Sequence, residues 1–175
     1  RCLLGGSCRG CEGAGQEAKG KEVAITQVGA RAFEGKSYGN ENDAKLVDAL
    51  RDAGALVLSL VATHKRQIIG QVALSPAKIG EGRYLCVGPL AVLPQHQRKG
   101  VGTGLMGHAL GVAQVYGRDG VVLQGDLNYY ARFGFETFPS VTYAGEGAQF
   151  IQVLPFKGTP SGEVKFHPVF NGTSV

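Results

Sequence analysis

A glycine-rich stretch near the middle of the chain contains residue types that bind anions. Gly100, Gly102 and Gly104 alternate with small residues and directly follow Arg98 and Lys99. At the start of a helix, such a turn directs several backbone N–H groups and the positive end of the helix dipole at one point. Glycine also lacks the Cβ that would hold a phosphate away from the amides. We therefore predict a phosphate or pyrophosphate site formed mainly by backbone.

The spacing of the glycines distinguishes between known phosphate-binding motifs. The dinucleotide fingerprint would need glycine at position 105, which is leucine, and the Gly-Lys-Ser/Thr ending of the Walker loop is absent. The pattern Q/R-x-x-G-x-G/A does fit, with Gln97, Gly100 and Gly102 after the run 90–94, Leu-Ala-Val-Leu-Pro. An unrelated nucleotide-phosphate binder with the same turn remains an alternative at this point.

A second motif lies downstream. The segment 130–135 is Tyr-Ala-Arg-Phe-Gly-Phe, which contains Tyr-x-x-x-Gly-Phe, and it follows the apolar run 121–123 and the turn Gly125-Asp126. The two motifs, in this order and at this separation, resemble the GNAT superfamily of acetyl-CoA-dependent N-acetyltransferases. The longer wording Gly-Asp-x-x-Tyr-Tyr-x-Arg-Phe-Gly-Phe is similar to that of a bacterial subgroup, and the similarity extends from about Ala24 to Phe170.

The resemblance implies an enzyme that moves an acetyl group from acetyl-CoA to a primary amine by direct attack in a ternary complex. The acceptor would be an amine on a small molecule or a peptide. Tyr130 matches the family position whose phenol lies near the thioester sulfur, which makes it the candidate general acid. A GNAT fold retained as a non-catalytic acyl-CoA-binding or regulatory module is the alternative.

The same resemblance implies the residues that contact the cofactor. They lie on the fourth strand, the glycine loop and the helix of the second motif: Leu90, Ala91, Val92, Gln97, Arg98, Lys99, Gly100, Val101, Gly102, Thr103, Gly104, Asn128 and Phe133. Tyr129, Phe133 and Phe135 are expected to be packing aromatics in the first instance. No residue is assigned as the general base: Glu41, Asp43 and Glu81 remain open, as does an ordered water, and no metal is expected.

Hydrophobic patterning indicates the elements that carry these motifs. Helices are predicted over 24–33 and 41–54, a hairpin over 55–63 and 68–74 that Ser75-Pro76 ends, and strands over 84–93, 149–154 and 163–170. Because proline cannot donate to a strand ladder, Pro89 predicts a bulge or a lost partner in the fourth strand. In the resembled family the fourth and fifth strands splay apart here, and the pantetheine arm pairs with 90–92.

These elements predict an α/β protein of the α+β type with the GNAT fold. Its sheet is expected to be mixed and mostly antiparallel, with six to seven strands, helices on its faces and a splay between the fourth and fifth strands. Residues 1–21 are glycine-rich and are expected to be a loosely ordered N-terminal segment. Residues 22–175 are expected to form a single domain.

The composition of the chain limits the classes of binding partner and the setting that are expected. The chain has 175 residues, 43% of them hydrophobic, and a net charge of +4, with basic residues scattered rather than interleaved with aromatics, so no nucleic acid partner is expected. No run approaches the roughly 20 apolar residues of a membrane span. Cys8-x-x-Cys11 lacks a second ligand pair, so these cysteines are expected to be ordinary thiols rather than zinc ligands. A reduced, cytoplasmic setting is therefore expected. A monomer or a homodimer is expected.

Overall fold

The computed structural model describes residues 13–16, 22–33 and 41–172. Four helices lie in these ranges: α1 (Glu22–Phe33), α2 (Glu41–Asp52), α3 (Val101–Val115) and α4 (Leu127–Ala131). The strands in the same part of the chain are β1 (Gly13–Gln16), β2 (Leu58–His64), β3 (Gln67–Ile79), β4 (Gly82–Val92), β5 (Gly120–Gln124), β6 (Val141–Thr142), β7 (Ile151–Pro155) and β8 (Gly162–Phe166). Short 3-10 turns occupy Pro94–His96, Ala148–Phe150 and Pro168–Gly172.

The strands form one mixed sheet. Its main order is β1-β2-β3-β4-β5-β7, while β8 pairs with the far end of β3 and β6 pairs with β8. The pairs β4–β5 and β6–β8 are parallel and the other described pairs are antiparallel. The predicted α+β class, with helices flanking a mostly antiparallel sheet, is confirmed. The sheet has eight strands instead of six to seven because β1 and the two-residue β6 were not expected.

Strand β1 lies inside the segment that was expected to be loosely ordered. Gly13–Gln16 pairs antiparallel with β2, from Gly13 opposite Thr63 to Gln16 opposite Leu60. The ladder depends on backbone groups, so a glycine-rich edge strand needs no apolar periodicity to form. The described domain therefore begins before residue 22, while residues 1–12 and 17–21 lie outside the described ranges.

Strand β3 is longer than expected. Ser75-Pro76 does not end it, and Pro76 pairs opposite Leu85 of β4. The carbonyl of Leu74 accepts from Val57 on the β2 side, so by strand alternation the nitrogen of Pro76 faces the same side. At that point β2 has ended and β8 has not begun. The missing N–H of proline therefore costs no ladder hydrogen bond.

The centre of the sheet packs against α3 and α1. The fully buried residues of α3 include Leu105, Met106 and Ala109, and Val28 of α1 joins the same apolar cluster. Burial of such side chains stabilises a domain by roughly 1.5–3 kcal/mol each, which fixes β3 and β4 as the rigid base of the molecule. No helix in the described ranges combines the length and apolarity needed to cross a membrane.

The pairing of β4 with each of its two neighbours is irregular. Val72 lies opposite Leu90 and Leu74 opposite Val87, so β4 carries one extra residue across the stretch that contains Pro89. The bulge expected from this proline is confirmed. On its other side, β4 pairs with β5 at only three positions, from Tyr84 opposite Gly120 to Cys86 opposite Val122. Beyond that point the two strands diverge, which is the predicted splay.

Cys86 lies at the last of these pairs and is buried. This burial raises the pKa of its thiol to about 12, and the Ser75 hydroxyl acts in the opposite direction. The folded chain therefore keeps a proton that the unfolded chain loses above about pH 8.5. We expect the free energy of unfolding to fall as the pH rises from 9 towards 12, by up to about 1.4 kcal/mol per unit. Cys86→Ala should lessen that fall. Urea unfolding of both proteins between pH 7 and 11 measures it, and parallel curves would contradict the assignment.

Candidate active site

The free edge of β4 forms one wall of the site. The N–H of Leu93 donates to the carbonyl of Ile69 at 2.9 Å, so strand alternation turns the backbone groups of Ala91 towards β3. Those of Leu90 and Val92 point away from β3, into the gap that opens towards β5. Of the three predicted pairing residues, Leu90 and Val92 therefore present groups to the gap and Ala91 does not.

Gln97 closes the end of this edge. Its side-chain amide Nε2 donates to the carbonyl of Val92 at 2.9 Å, and the residue is partly buried. The hydrogen bond joins the loop after β4 to the outward edge of the strand. The first position of the glycine motif thus holds the loop in place, which the motif alone did not reveal.

The glycine loop ends in the first turn of α3. Gly100 is the N-cap with φ 82°, a left-handed conformation that favours glycine, and its carbonyl accepts from the N–H of Gly104 at 2.9 Å. The next three amides, of Val101, Gly102 and Thr103, have no intrahelical acceptor at this position in a helix. These amides are therefore available to an anion, whereas the amide of Gly104 is already used.

Gly102 is constrained by a side chain rather than by its own dihedral angles. A Cβ placed on it would lie 2.7 Å from the hydroxyl oxygen of Tyr129 and 3.7 Å from a methyl of Val92. Tyr129 belongs to α4, which follows β5, whereas Gly102 follows β4. The Tyr129 phenol therefore spans the splay and reaches the glycine loop. Sequence reasoning had assigned Tyr129 only a packing role.

The ring of Tyr129 is held from several directions. It meets the Tyr130 ring edge-on at 4.9 Å and the Phe133 ring at 5.7 Å between centroids, and the Arg132 guanidinium lies 4.6 Å above it. The backbone N–H of Tyr129 donates at 2.9 Å to the carboxylate of Asp126, and this carboxylate caps α4. Burial raises the pKa of Tyr129, and Arg132 opposes this shift. The phenol stays protonated near neutral pH.

Tyr130 lies where β4 and β5 separate. Its ring packs against the central core and Phe135, and it lies so close to Gly125 that a Cβ there would clash with it. Burial, followed by Tyr129, Cys86 and Asp126, raises its pKa well above the ordinary value. Among the described residues its hydroxyl has no hydrogen-bond partner. Tyr130 is therefore a protonated phenol beside the splay.

The two basic residues of the loop are exposed. Arg98 has φ 59°, a left-handed conformation that is uncommon for a residue with a side chain, and Lys99 Nζ donates to the carbonyl of Gln95 at 2.9 Å. Of the other predicted contacts, Asn128 is exposed on α4 and Phe133 is partly buried against Tyr129 and the core. Their contact with a cofactor stays a prediction.

Of the candidates left open for a general base, Glu81 lies away from the splay. Glu81 lies in the turn between β3 and β4, at the opposite end of β4 from the glycine loop. The side chains of Glu41 and Asp43 lie outside the described residues. Within the described ranges, no group of three or more histidine, cysteine, aspartate or glutamate residues has the geometry to hold a metal ion.

Comparison with known proteins agrees with this geometry. Residues 56–137 match the family model described as an acetyltransferase (GNAT) domain. Over 118 residues, 66% of this chain and 71% of the relative, the chain is 38% identical to the uncharacterized N-acetyltransferase YhbS of Escherichia coli K12. It is 29% identical over 112 residues to the uncharacterized N-acetyltransferase YjhQ of the same strain.

Two solved structures resemble the whole fold. A GNAT family acetyltransferase from Brucella melitensis, in complex with acetyl-CoA, is 37% identical with a TM-score of 0.78, covering 90% of this chain and 96% of that one. The YhbS protein of Escherichia coli, in complex with CoA, is 29% identical with a TM-score of 0.83, covering 96% and 95%. With its splayed strands, glycine loop and paired tyrosines, the chain belongs to the GNAT family of acetyltransferases.

Proposed function

We propose that this chain transfers the acetyl group of acetyl-CoA to a primary amine by direct attack within a ternary complex. The position of Tyr130, a protonated phenol at the divergence of β4 and β5, carries this proposal. The bound acetyl-CoA and CoA of the two similar structures support the choice of cofactor. The acceptor class, a small-molecule or peptide amine, follows from the family chemistry.

The cofactor would occupy the splay in an extended form. Its pyrophosphate fits the amides of Val101, Gly102 and Thr103, where the dipole of the 15-residue helix α3 favours an anion. The amides of its pantetheine arm fit the outward backbone groups of Leu90 and the N–H of Val92, whose carbonyl accepts from Gln97, as an added strand would. This arrangement leads the thioester towards Tyr130.

The reaction then needs one proton delivered and one removed. The neutral amine attacks the thioester carbonyl carbon, a C–N bond forms, and the C–S bond breaks as the tetrahedral intermediate collapses. The Tyr130 hydroxyl gives its proton to the departing thiolate, while the surplus proton of the amine passes to water, from which the phenolate regains a proton before the next turnover. No covalent enzyme intermediate forms, and no side chain is assigned as a base.

Tyr130→Phe removes the proposed acid and keeps the ring that packs on the core. We expect kcat to fall by about 10² or more, the range that general acid catalysis supplies, while the acetyl-CoA Kd changes little. The matched control is Tyr116→Phe, because Tyr116 is exposed and lies at the far end of α3. Steady-state thiol release with a confirmed amine acceptor measures both. Turnover of the Tyr130→Phe protein at the wild-type rate would remove Tyr130 from the chemical step.

The pH dependence gives a separate prediction for the same residue. Because the pKa of Tyr130 is raised, its phenol stays protonated beyond the ordinary tyrosine value of about 10. We expect kcat/KM to rise with pH as the acceptor loses its proton, and to show no decline from loss of the acid below about pH 10. A pH–rate profile checks this, and a descending limb near pH 7 or 8 that Tyr130→Phe abolishes would contradict it.

Gly102→Ala tests the loop, and Tyr129→Phe is its partner in a double-mutant cycle. In the Tyr129→Phe background we expect the added methyl to stabilise the helix start by roughly 0.5–1 kcal/mol, because alanine favours helix over glycine. With Tyr129 present, the phenol contact at 2.7 Å should cancel or reverse that gain. In both backgrounds the methyl should weaken acetyl-CoA binding at least about tenfold by holding the phosphate off the amides.

Urea unfolding and calorimetry separate these two effects. An additive cycle in stability would mean that the Tyr129 hydroxyl does not rest on Gly102 in solution. Unchanged affinity of a folded Gly102→Ala protein would instead place the cofactor away from the loop.

Replacing Arg98 and Lys99 together with glutamine tests the role of charge. We expect the acetyl-CoA KM to rise and its dependence on salt to flatten, with little change in kcat, because both residues attract phosphate without touching the reacting atoms. Lys78→Gln with Lys165→Gln is the control: it removes two positive charges from residues that lie opposite each other on β3 and β8, away from the loop. Steady-state kinetics at several salt concentrations measure the KM for acetyl-CoA and kcat of both doubly substituted proteins. A fall in kcat with KM unchanged would contradict it.

A further inference from the structure

The turn between β2 and β3 lies beside the glycine loop. The rings of His64, at the end of β2, and His96, in the loop after β4, are 5.5 Å apart between centroids. The antiparallel register agrees, because it brings the start of β3 to the end of β4, with Gly70 opposite Val92. The tip of this turn, Lys65 and Arg66, is named the cationic turn below. It adjoins the loop that carries Arg98 and Lys99.

The backbone of the cationic turn is unfavourable for its residues. Within the described ranges, the non-glycine residues with positive φ are Lys65 at 47°, Arg66 at 65° and Arg98 at 59°. A two-residue hairpin turn with positive φ at both positions is of type I′, for which Asn-Gly is strongly preferred. All three residues that depart from this conformational preference are basic, and they lie on two adjacent loops. Such departures cluster at functional sites, and here the shared property is charge.

One charge of the glycine loop lies beside His96, whose ring neighbours His64 at the base of the cationic turn. Lys99 Nζ donates to the carbonyl of Gln95 at 2.9 Å, which holds the ammonium next to His96. The pKa of His96 is lowered by partial burial first, then by Lys99 and then by His64. The imidazole therefore senses the positive potential of its neighbours. The basic residues of the loop and of the adjacent turn make the local potential positive, which favours an anion there.

We propose that the cationic turn, together with Arg98 and Lys99, binds the 3′-phosphate on the ribose of coenzyme A. This inference rests on the proposed function, which seats the pyrophosphate on the amides at the start of α3. The 3′-phosphate is a phosphate monoester one ribose ring away from that pyrophosphate. It carries up to two negative charges and three acceptor oxygens, which suit a guanidinium fork and an ammonium better than backbone amides.

The test compares acetyl-CoA with 3′-dephospho-acetyl-CoA, which differ in this phosphate alone. Calorimetry gives both Kd values for the wild type, for Lys65→Asn with Arg66→Gly, and for the control Lys78→Gln with Lys165→Gln. The Asn-Gly pair removes both charges and supplies the residues that a type I′ turn prefers, so the fold and the free energy of unfolding should be kept or improved. The control removes the same net charge on β3 and β8.

We expect the wild type and the control to bind acetyl-CoA about tenfold or more tightly than the dephospho form. In the protein with Lys65→Asn and Arg66→Gly this preference should shrink to about twofold, with the affinity for the dephospho form unchanged. Full preference in that doubly substituted protein, or equal binding of both compounds by the wild type, would overturn the inference while leaving the proposed function intact. Failure of the wild type to bind either compound would overturn both.

Discussion

The end of hydrogen bonding between β4 and β5 is the constraint on which the site depends. The parallel pairing stops at Cys86 and Val122, while β4 runs on to Val92 with the groups of Leu90 and Val92 turned outwards. A buried backbone group without a partner costs about 1–3 kcal/mol, so such an edge is stable only where water or a ligand can reach it. The gap must therefore stay open or accept a molecule with amides of its own. The extra residue of β4 around Pro89 fixes where this happens.

Helix α4 follows β5 and reaches across the gap to the glycine loop that follows β4. Asp126 caps this five-residue helix and fixes Tyr129 and Tyr130, which follow each other in sequence. Consecutive residues on a helix point about 100° apart. One phenol consequently reaches the glycine loop on the β4 side, and the other lies at the strand divergence. A short capped helix thus delivers two chemically similar groups to two different parts of the site.

The glycine motif, the Tyr-x-x-x-Gly-Phe motif and Pro89 predicted the family, the splay and the bulge, because each depends on residue types with a strict local requirement. The sequence was less informative where a backbone ladder or a long-range contact decides the outcome. Strand β1 forms without an apolar pattern, and β3 passes through Pro76 because its neighbours change there. The contact of Tyr129 with Gly102 joins residues from two separate motifs, and no spacing within either motif encodes it.

The contrast between α3 and α4 shows where the chain leaves room for an anion. In the short helix α4 the Asp126 carboxylate accepts from the N–H of Tyr129, whereas the long helix α3 begins at Gly100 with no side-chain cap and no acidic residue in its first turn. Because glycine is a favourable N-cap, the missing capping side chain costs α3 only about a few tenths of a kcal/mol. A carboxylate there would compete with a phosphate for the same amides. In the function proposed above, a phosphate of the cofactor would take the place of this cap, and binding would stabilise the fold through that same helix end.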